Sequence, residues 1–203
     1  MTVTERKRRM PRAERERQMM GVAEEIFAER GYAAASMDEI AERCGVSKPM
    51  IYEYFGSKDG LLVACIRAAR AELAENATRA VIGATSAEDA LRRGLVAFFQ
   101  FAESRRRSWA MMVRNEVALA GTGAMDEIEA IRREQVEIDA AMFAAFLPDK
   151  SPTELEILAQ IVVGACERLS IWYVSQDEVT AVEAAEQLLT VLWRGVGGAV
   201  EGR

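Results

Sequence analysis

The residues best suited to chemistry lie just after Gly45, and their side chains suit the edges of DNA bases. Lys48 can donate hydrogen bonds to O6 or N7 of guanine, while Pro49 and Met50 offer apolar surface to a thymine methyl group. These three residues begin a short predicted helix, and the start of such a helix is the end that meets the bases in the major groove. The chemistry predicted here is recognition of double-stranded DNA.

The chain lacks the motifs that would place a reaction at this or another site. It contains no histidine and no G-x-x-x-x-G-K-[ST] sequence, and Gly121-Thr122-Gly123 is too short for a dinucleotide-binding fingerprint. Cys44, Cys65 and Cys166 are far apart and form no C-x-x-C pair, so we expect small core residues rather than disulfides or a zinc site. We therefore expect no enzyme, no cofactor and no metal.

Two short helices joined by a glycine turn must position the residues after Gly45. A helix over about residues 11–30 comes first, and Ser36-x-x-Glu39 then matches a capping box that begins a second helix. Gly45 can end that helix in the left-handed conformation, and Ser47 can cap a third helix that ends near Phe55. This is the outline of a DNA-binding helix-turn-helix, although helix pairs without DNA-binding function share the same spacing.

The residues around the turn make the pattern specific. The stretch from Gly45 to Leu62, GVSKPMIYEYFGSKDGLL, closely resembles the signature of the TetR family of transcriptional regulators, and so does Phe27-x-x-x-Gly31-Tyr32 before it. The resemblance in sequence covers about residues 20–65. Beyond these residues the chain resembles the family only in its architecture. The resemblance implies an all-α fold, with an N-terminal three-helix helix-turn-helix DNA-binding domain and a larger C-terminal helical domain for ligand binding and dimerisation.

The resemblance also implies a set of DNA contacts. The residues assigned to this surface are Ser36, Ser47, Lys48, Pro49, Met50, Tyr52, Glu53, Tyr54 and Lys58. Tyr52 is expected at a base or sugar, and Ser36, Tyr54 and Lys58 at phosphates, although aromatic residues at helical spacing also serve as core. Glu53 is unusual, because an acid beside DNA costs affinity unless it pairs with Arg43 or Lys48, or accepts from cytosine N4.

Charge divides the chain in the same way. Residues 1–58 carry 11 Lys and Arg against 10 acids, whereas residues 59–203 carry 15 against 22. We expect a basic, disordered arm over residues 1–15, a DNA-binding domain over 16–60 and a regulatory domain over 61–203. The arm either contacts phosphates or remains a solvated tail.

Helices in the second domain are predicted over residues 86–104, 108–119, 125–146, 151–175 and 180–193. The segment from Leu155 to Val174 is apolar on nearly every side and needs cover on two faces, either from a second copy or from a deep monomer core. For a two-fold homodimer with a four-helix interface, the expected interface residues are Ile161, Ala165, Leu169, Leu188, Leu192 and Val196. Such a dimer predicts a palindromic operator.

A small-molecule effector site is the family expectation for this domain. The candidate lining residues are Phe98, Trp109, Met112, Glu116, Phe143 and Trp172. Glu116 interrupts an apolar stripe and would suit a cation or a hydrogen-bonding ligand, although such stripes also form ordinary core. The Arg105–Arg107 cluster is either solvated or a contact for an anion.

The prediction is a cytoplasmic repressor that binds its operator as a dimer and is released by a small molecule. No apolar run approaches the roughly 18 residues of a membrane span, so no membrane partner is expected. The alternatives are a DNA-binding protein of the same kind that needs no ligand, and a helical protein-interaction scaffold.

Overall fold

The computed structural model describes residues 10–114 and 123–201, and within them it is helical without a strand. Its helices are α1 (Arg12–Arg30), α2 (Met37–Cys44), α3 (Lys48–Phe55), α4 (Lys58–Val81), α5 (Ala87–Ser104), α6 (Arg106–Arg114), α7 (Gly123–Phe146), α8 (Pro152–Tyr173) and α9 (Ala181–Glu201). The all-α fold class predicted from the sequence is confirmed.

The chain divides into two compact units, Met1–Cys65 and Ile66–Arg203, and the division falls inside α4. The sequence placed it a few residues earlier, at 60/61. Helix α1 already begins at Arg12, inside the segment expected to form a disordered arm, while residues 1–9 lie outside the described part. One continuous helix, α4, therefore belongs to both units.

The turn between α2 and α3 has the geometry that the sequence predicts. Gly45 adopts the left-handed conformation, with φ 65° and ψ 33°. Its N–H donates to the carbonyl of Glu42 at 3.0 Å, and the N–H of Val46 donates to Ala41 at 3.0 Å, so the last carbonyls of α2 are satisfied. Ile40 and Ile51 are fully buried on either side of the turn and hold the two helices together.

Two of the predicted caps differ from expectation. The Ser36 hydroxyl accepts from the N–H of Asp38 at 3.2 Å, but Glu39 pairs with Arg30 and Arg43 and completes no capping box. The side chain of Ser47 makes no cap hydrogen bond, although its backbone is extended as at an N-cap. Because neighbouring arginines compete for Glu39, the motif alone did not determine its partner.

Capping in the second unit follows the sequence. Ser151 and Glu154 form a reciprocal capping box at the start of α8. Hydrogen bonds from Ser151 and Lys150 hold the pKa of Glu154 down at about 2. Thr180 and Glu183 exchange the equivalent bonds before α9, at 2.8 and 3.2 Å. These confirmed caps fix where the last two helices begin.

The second unit is built on an aromatic core. Phe98 lies edge-on to Phe99 and Trp109, and Phe99 lies edge-on to Tyr173, with ring centroids 5.2–5.6 Å apart. The indole N–H of Trp109 donates to the Ser170 hydroxyl at 2.9 Å, so the polar end of this buried ring is satisfied. Helix α5 packs on α9, and α7 packs on α8. All three cysteines are buried, as expected for core residues.

Helix α4 starts against the end of α3 with no space for a side chain at Gly60. A Cβ atom there would lie 2.1 Å from the Phe55 carbonyl oxygen, well inside van der Waals contact. The obstacle is backbone rather than a flexible side chain, so an added carbon must separate the two helices. Glycine is therefore required at this position for α3 to end where it does.

Gly60→Ala should lower the free energy of unfolding by about 1 to 3 kcal/mol, because overpacking forces backbone to shift. Gly21→Ala is the matched control. Gly21 lies at an exposed position of α1 with nothing within 4 Å of its Cβ position, so alanine there should stabilise by about 0.5 to 1 kcal/mol. Urea unfolding of both variants measures the difference. A Gly60→Ala protein as stable as the wild type would contradict the close contact.

Candidate nucleic-acid interface and apolar cavity

The exposed side of α3 carries side chains expected at DNA. Ile51 is fully buried and fixes the rotation of the helix, while Tyr52 is 40% exposed on the other side. Pro49 and Glu53 are exposed as well, and Lys48 is half-buried. The first unit therefore presents a short, anchored helix whose outward residues are accessible to a partner.

Lys48 is held by an acid of the preceding helix. Its Nζ lies 2.9 Å from Oδ2 of Asp38, in the first turn of α2. This carboxylate raises the pKa of Lys48, mainly through the hydrogen bond. A guanine or phosphate that recruits Lys48 must therefore compete with Asp38, a partner that the sequence pattern did not indicate.

The partners expected for Glu53 are occupied elsewhere. Arg43 pairs with Glu29 at 2.6 Å and with Glu39 at 3.4 Å, and Lys48 pairs with Asp38. Of the two alternatives for Glu53, an ion pair with Arg43 or Lys48 does not form among the described residues, and acceptance from cytosine N4 stays a prediction. Glu53 is exposed on α3, whereas Ile51 of the same helix is fully buried.

The first turns of α1 also contact α3. The guanidinium of Arg12 lies 4.8 Å from the ring centroid of Tyr54, which is half-buried. Arg15 Nη1 donates to the sulfur of Met50 at 3.5 Å. Two arginines thus lie against α3. The basic character of the N-terminal segment was the only feature of the sequence that indicated such contacts.

Lys58 folds back onto the loop before α2. Its Nζ donates to the carbonyl of Ala33 at 3.2 Å and lies 4.6 Å from the ring centroid of Tyr32. The Tyr32 hydroxyl in turn donates to the Asp59 carboxylate. Burial lowers the pKa of Lys58 and raises that of Tyr32. Tyr32, which carried no predicted role, therefore positions Lys58.

The second unit contains an apolar cavity of about 110 Å³. Phe98 and Phe143 line it, as expected, whereas Trp109 and Met112 line a smaller recess of about 20 Å³. Trp172 was wrongly expected here, because its ring is 51% exposed on the opposite side of α8 from the buried core. Glu116 lies outside the described residues.

Polar side chains that no sequence pattern indicated lie together at one part of this cavity. Gln135 Nε2 donates to Asp139 Oδ1 at 3.0 Å, and Arg70 pairs with Glu167. Burial raises the pKa of Asp139 to about 6. Each of these residues comes from a different turn or helix, so no local motif could have marked them.

The surface expected at a dimer interface is only partly exposed. Leu188 and Leu192 are buried within the protomer, so their assignment to the interface is wrong: α9 turns that face toward α5. Ile161 is half exposed, and Ile157 and Trp172 are exposed along the same side of α8. Ala165 and Leu169 are half-buried, and the side chain of Val196 lies outside the described residues.

In the described stretches, no helix combines the length and apolar character that a membrane crossing needs. Nor do the residues described there include a cluster of three Cys, Asp or Glu side chains able to hold a metal ion.

Comparison with known proteins agrees with this geometry. The family model for bacterial regulatory proteins of the tetR family matches residues 20–65, and that for the tetracyclin repressor-like C-terminal domain matches residues 87–195. The chain belongs to the TetR family. It is therefore a helix-turn-helix DNA-binding transcriptional regulator, and members of this family also bind small-molecule ligands.

Relatives of this TetR-family chain span nearly its whole length. It is 29% identical to the HTH-type transcriptional activator FasR of Mycolicibacterium smegmatis over 93% of this chain and 85% of that one. A TetR-like regulator from Rhodococcus sp. RHA1 has a TM-score of 0.71 and 34% identity, covering 94% of this chain and all of that one. FadR of Bacillus subtilis, solved in complex with stearoyl-CoA, shares the fold at a TM-score of 0.75 and 17% identity, over 87% and 96% of the chains.

Asp38→Asn should tighten binding to a random-sequence DNA duplex about two- to fivefold at fixed salt, the size expected when an exposed ion pair is removed. The substitution releases Lys48 and removes a negative charge from the side of α3. Glu156→Gln makes the same change in net charge at an exposed position of the second unit and should leave affinity unchanged. Fluorescence anisotropy measures both. Equal effects of the two variants would show that only net charge matters.

Proposed function

We propose that this regulator acts in the cytoplasm as a two-fold dimer on a palindromic operator, with α3 in the major groove. The anchoring of α3 supports this, since Ile51 is buried while Tyr52 is exposed. Lys48, Pro49 and Met50 then face base edges, and Tyr52 faces a base or sugar. Glu53 selects sequence by repelling phosphates and accepting from cytosine N4.

The remaining side chains of the DNA-binding surface position the first unit on the DNA backbone. Ser36, Tyr54 and Lys58 are assigned to phosphates, which carry no sequence information themselves, and Ser47 belongs to the same surface at the start of α3. Arg12 and Arg15 extend this set, because both contact residues of α3 and lie at the end of the basic N-terminal segment, residues 1–15.

Lys58→Ala should weaken binding to all sequences alike and lower the slope of log affinity against log salt by about one, because one phosphate contact is lost. Lys48→Ala should instead change which bases are preferred. Lys150→Ala, which removes a lysine paired with Glu154 in the second unit, is the control and should alter neither. Gel shifts on DNA upstream of the protein's own gene, at several salt concentrations, measure all three. Indistinguishable effects of Lys48→Ala and Lys58→Ala would contradict this division of roles.

The dimer is supported by the apolar side of α8 that its own protomer leaves uncovered. Ile157, Ile161 and Trp172 are each about half exposed at helical spacing, and the exposed Gly164 between them permits close approach of another helix. Large apolar side chains grouped on one helix face mark an interaction surface. The first unit contains one recognition helix, so a two-fold pair is needed to read two half-sites.

Ile157→Asp with Ile161→Asp should raise the dissociation constant of the dimer at least about a hundredfold, because the interface would bury unpaired charges. Operator affinity should fall with it. Ile82→Asp is the control, since Ile82 is 71% exposed in the turn after α4 and lies off the α8 face. Sedimentation velocity measures the oligomer. A double variant that remains dimeric would place the interface elsewhere.

We also propose that the effector occupies the apolar cavity and acts through α4. Arg70 and Leu73 of α4 line the cavity, and the same helix begins at Lys58 in the DNA-binding unit. FadR of Bacillus subtilis, which has the same fold, binds stearoyl-CoA, so an apolar acyl chain is a suitable occupant of such a space. A ligand that prefers one position of α4 changes operator affinity, and the operator changes ligand affinity by the same factor.

Transcription in vitro from the operator tests the direction of regulation. For the repressor that we propose, adding protein lowers transcript yield and adding effector restores it. An increase of transcript with protein would identify an activator, as the relative from Mycolicibacterium smegmatis is named.

A further inference from the structure

We propose that Asp139 selects the effector by charge: the cavity takes an apolar molecule that bears a neutral hydrogen-bond donor or a cation, and it rejects a free carboxylate. This inference rests on the proposed function, because it treats the cavity as the effector site. It adds the chemical class of the ligand's polar end and the residue that recognises it.

The cavity lining is apolar except for one group of side chains. Helices α5 and α9 contribute only apolar residues or glycine to the wall. Its polar and charged members are Arg70 from α4, Gln135 and Asp139 from α7, and Glu167 from α8. A long apolar molecule in this space therefore has one place at which a polar end can form hydrogen bonds.

Most of the charge in this group is already paired. Arg70 forms an ion pair with Glu167, and both side chains are only 14% exposed. Glu167 also lies 3.4 Å from Nε of Arg132, which in turn pairs with Glu129. The guanidinium of Arg70 further lies 5.4 Å from the centroid of the Trp109 ring. The guanidinium groups of Arg70 and Arg132 are therefore already paired with other side chains.

Asp139 differs from its neighbours in having a neutral partner. Gln135 donates to one carboxylate oxygen at 3.0 Å, and no ion pair holds this carboxylate in the described part of the chain. Cys166 beside it is buried, and burial together with the two acids raises the pKa of its thiol, so it stays neutral. The Asp139 carboxylate therefore lacks a strong hydrogen-bond donor. A ligand in the cavity could supply that donor.

The ionisation of Asp139 gives this preference a pH dependence. Desolvation raises its pKa to about 6, against the lowering effects of Gln135 and Arg70. At pH 7.5 the group is ionised, so a ligand cation or N–H stabilises it while a ligand carboxylate adds like charge. Below about pH 6 it is protonated, and both effects weaken.

Three probes of equal chain length test the proposal: decylamine, decanamide and decanoate. Binding to the full-length protein is measured by tryptophan fluorescence, since Trp193 lines the cavity, and by calorimetry. At pH 7.5 decanoate should bind at least about tenfold more weakly than decanamide and decylamine, the effect of about one pKa unit of like-charge interaction. Between pH 7.5 and pH 5, decylamine should lose at least about fivefold in affinity relative to decanamide, because Asp139 becomes protonated while neither probe changes its charge.

Asp139→Asn keeps the size and polarity of the side chain and should abolish the difference at pH 7.5. Glu137→Gln is the matched control, because Glu137 is an exposed acid two residues away on the same helix, and it should retain the wild-type preference. If Asp139→Asn fails to fold, the pH dependence of decylamine binding relative to decanamide in the wild type still decides the matter, and a ratio that does not change between pH 7.5 and pH 5 would overturn the proposal. Decanoate binding as tightly as decanamide at pH 7.5, an unchanged preference in Asp139→Asn, or no binding of any probe would overturn the proposal.

A gel shift with the same wild-type preparation, without probe, separates this outcome from that of the proposed function. Operator binding that persists when the probes show no charge preference rejects the role of Asp139 alone. Loss of operator binding rejects the proposed function instead.

Discussion

The contact between Gly60 and the Phe55 carbonyl determines where the recognition helix ends and where α4 begins. A helix of eight residues such as α3 has little stability by itself, so its orientation must come from its neighbours. Three constraints supply it: the left-handed turn at Gly45, the burial of Ile51, and the absence of a side chain at Gly60. With both ends and one face fixed, the outward side of α3 is fixed as well.

The same contact joins DNA recognition to the regulatory unit through one helix. Two residues, Gly56 and Ser57, separate the end of α3 from the start of α4 at Lys58, and α4 then continues without a break to Val81. Its first residues include Lys58, and farther along it Arg70 and Leu73 line the apolar cavity. In the function that we propose, occupancy of the cavity and contact with DNA act on this one helix, so a movement of α4 couples the two binding equilibria.

Features determined by local sequence could be predicted, and those determined by packing between distant segments could not. The turn at Gly45 and the capping box at Ser151 depend on neighbouring residues alone, and both were confirmed. The burial of Leu192 and the exposure of Trp172 depend on which partner each helix packs against, and an amphipathic pattern does not name that partner. No sequence motif marks Asp139, because its environment is formed by helices that are far apart in sequence.

Selection of bound sequences from a pool of random DNA, with the purified full-length protein, tests the central claim most directly. Two recognition helices related by a two-fold axis predict an enriched palindrome whose half-site centres lie about one helical turn, roughly 10 base pairs, or a multiple of it apart. A single enriched half-site without symmetry, or no enriched sequence at all, would contradict the account.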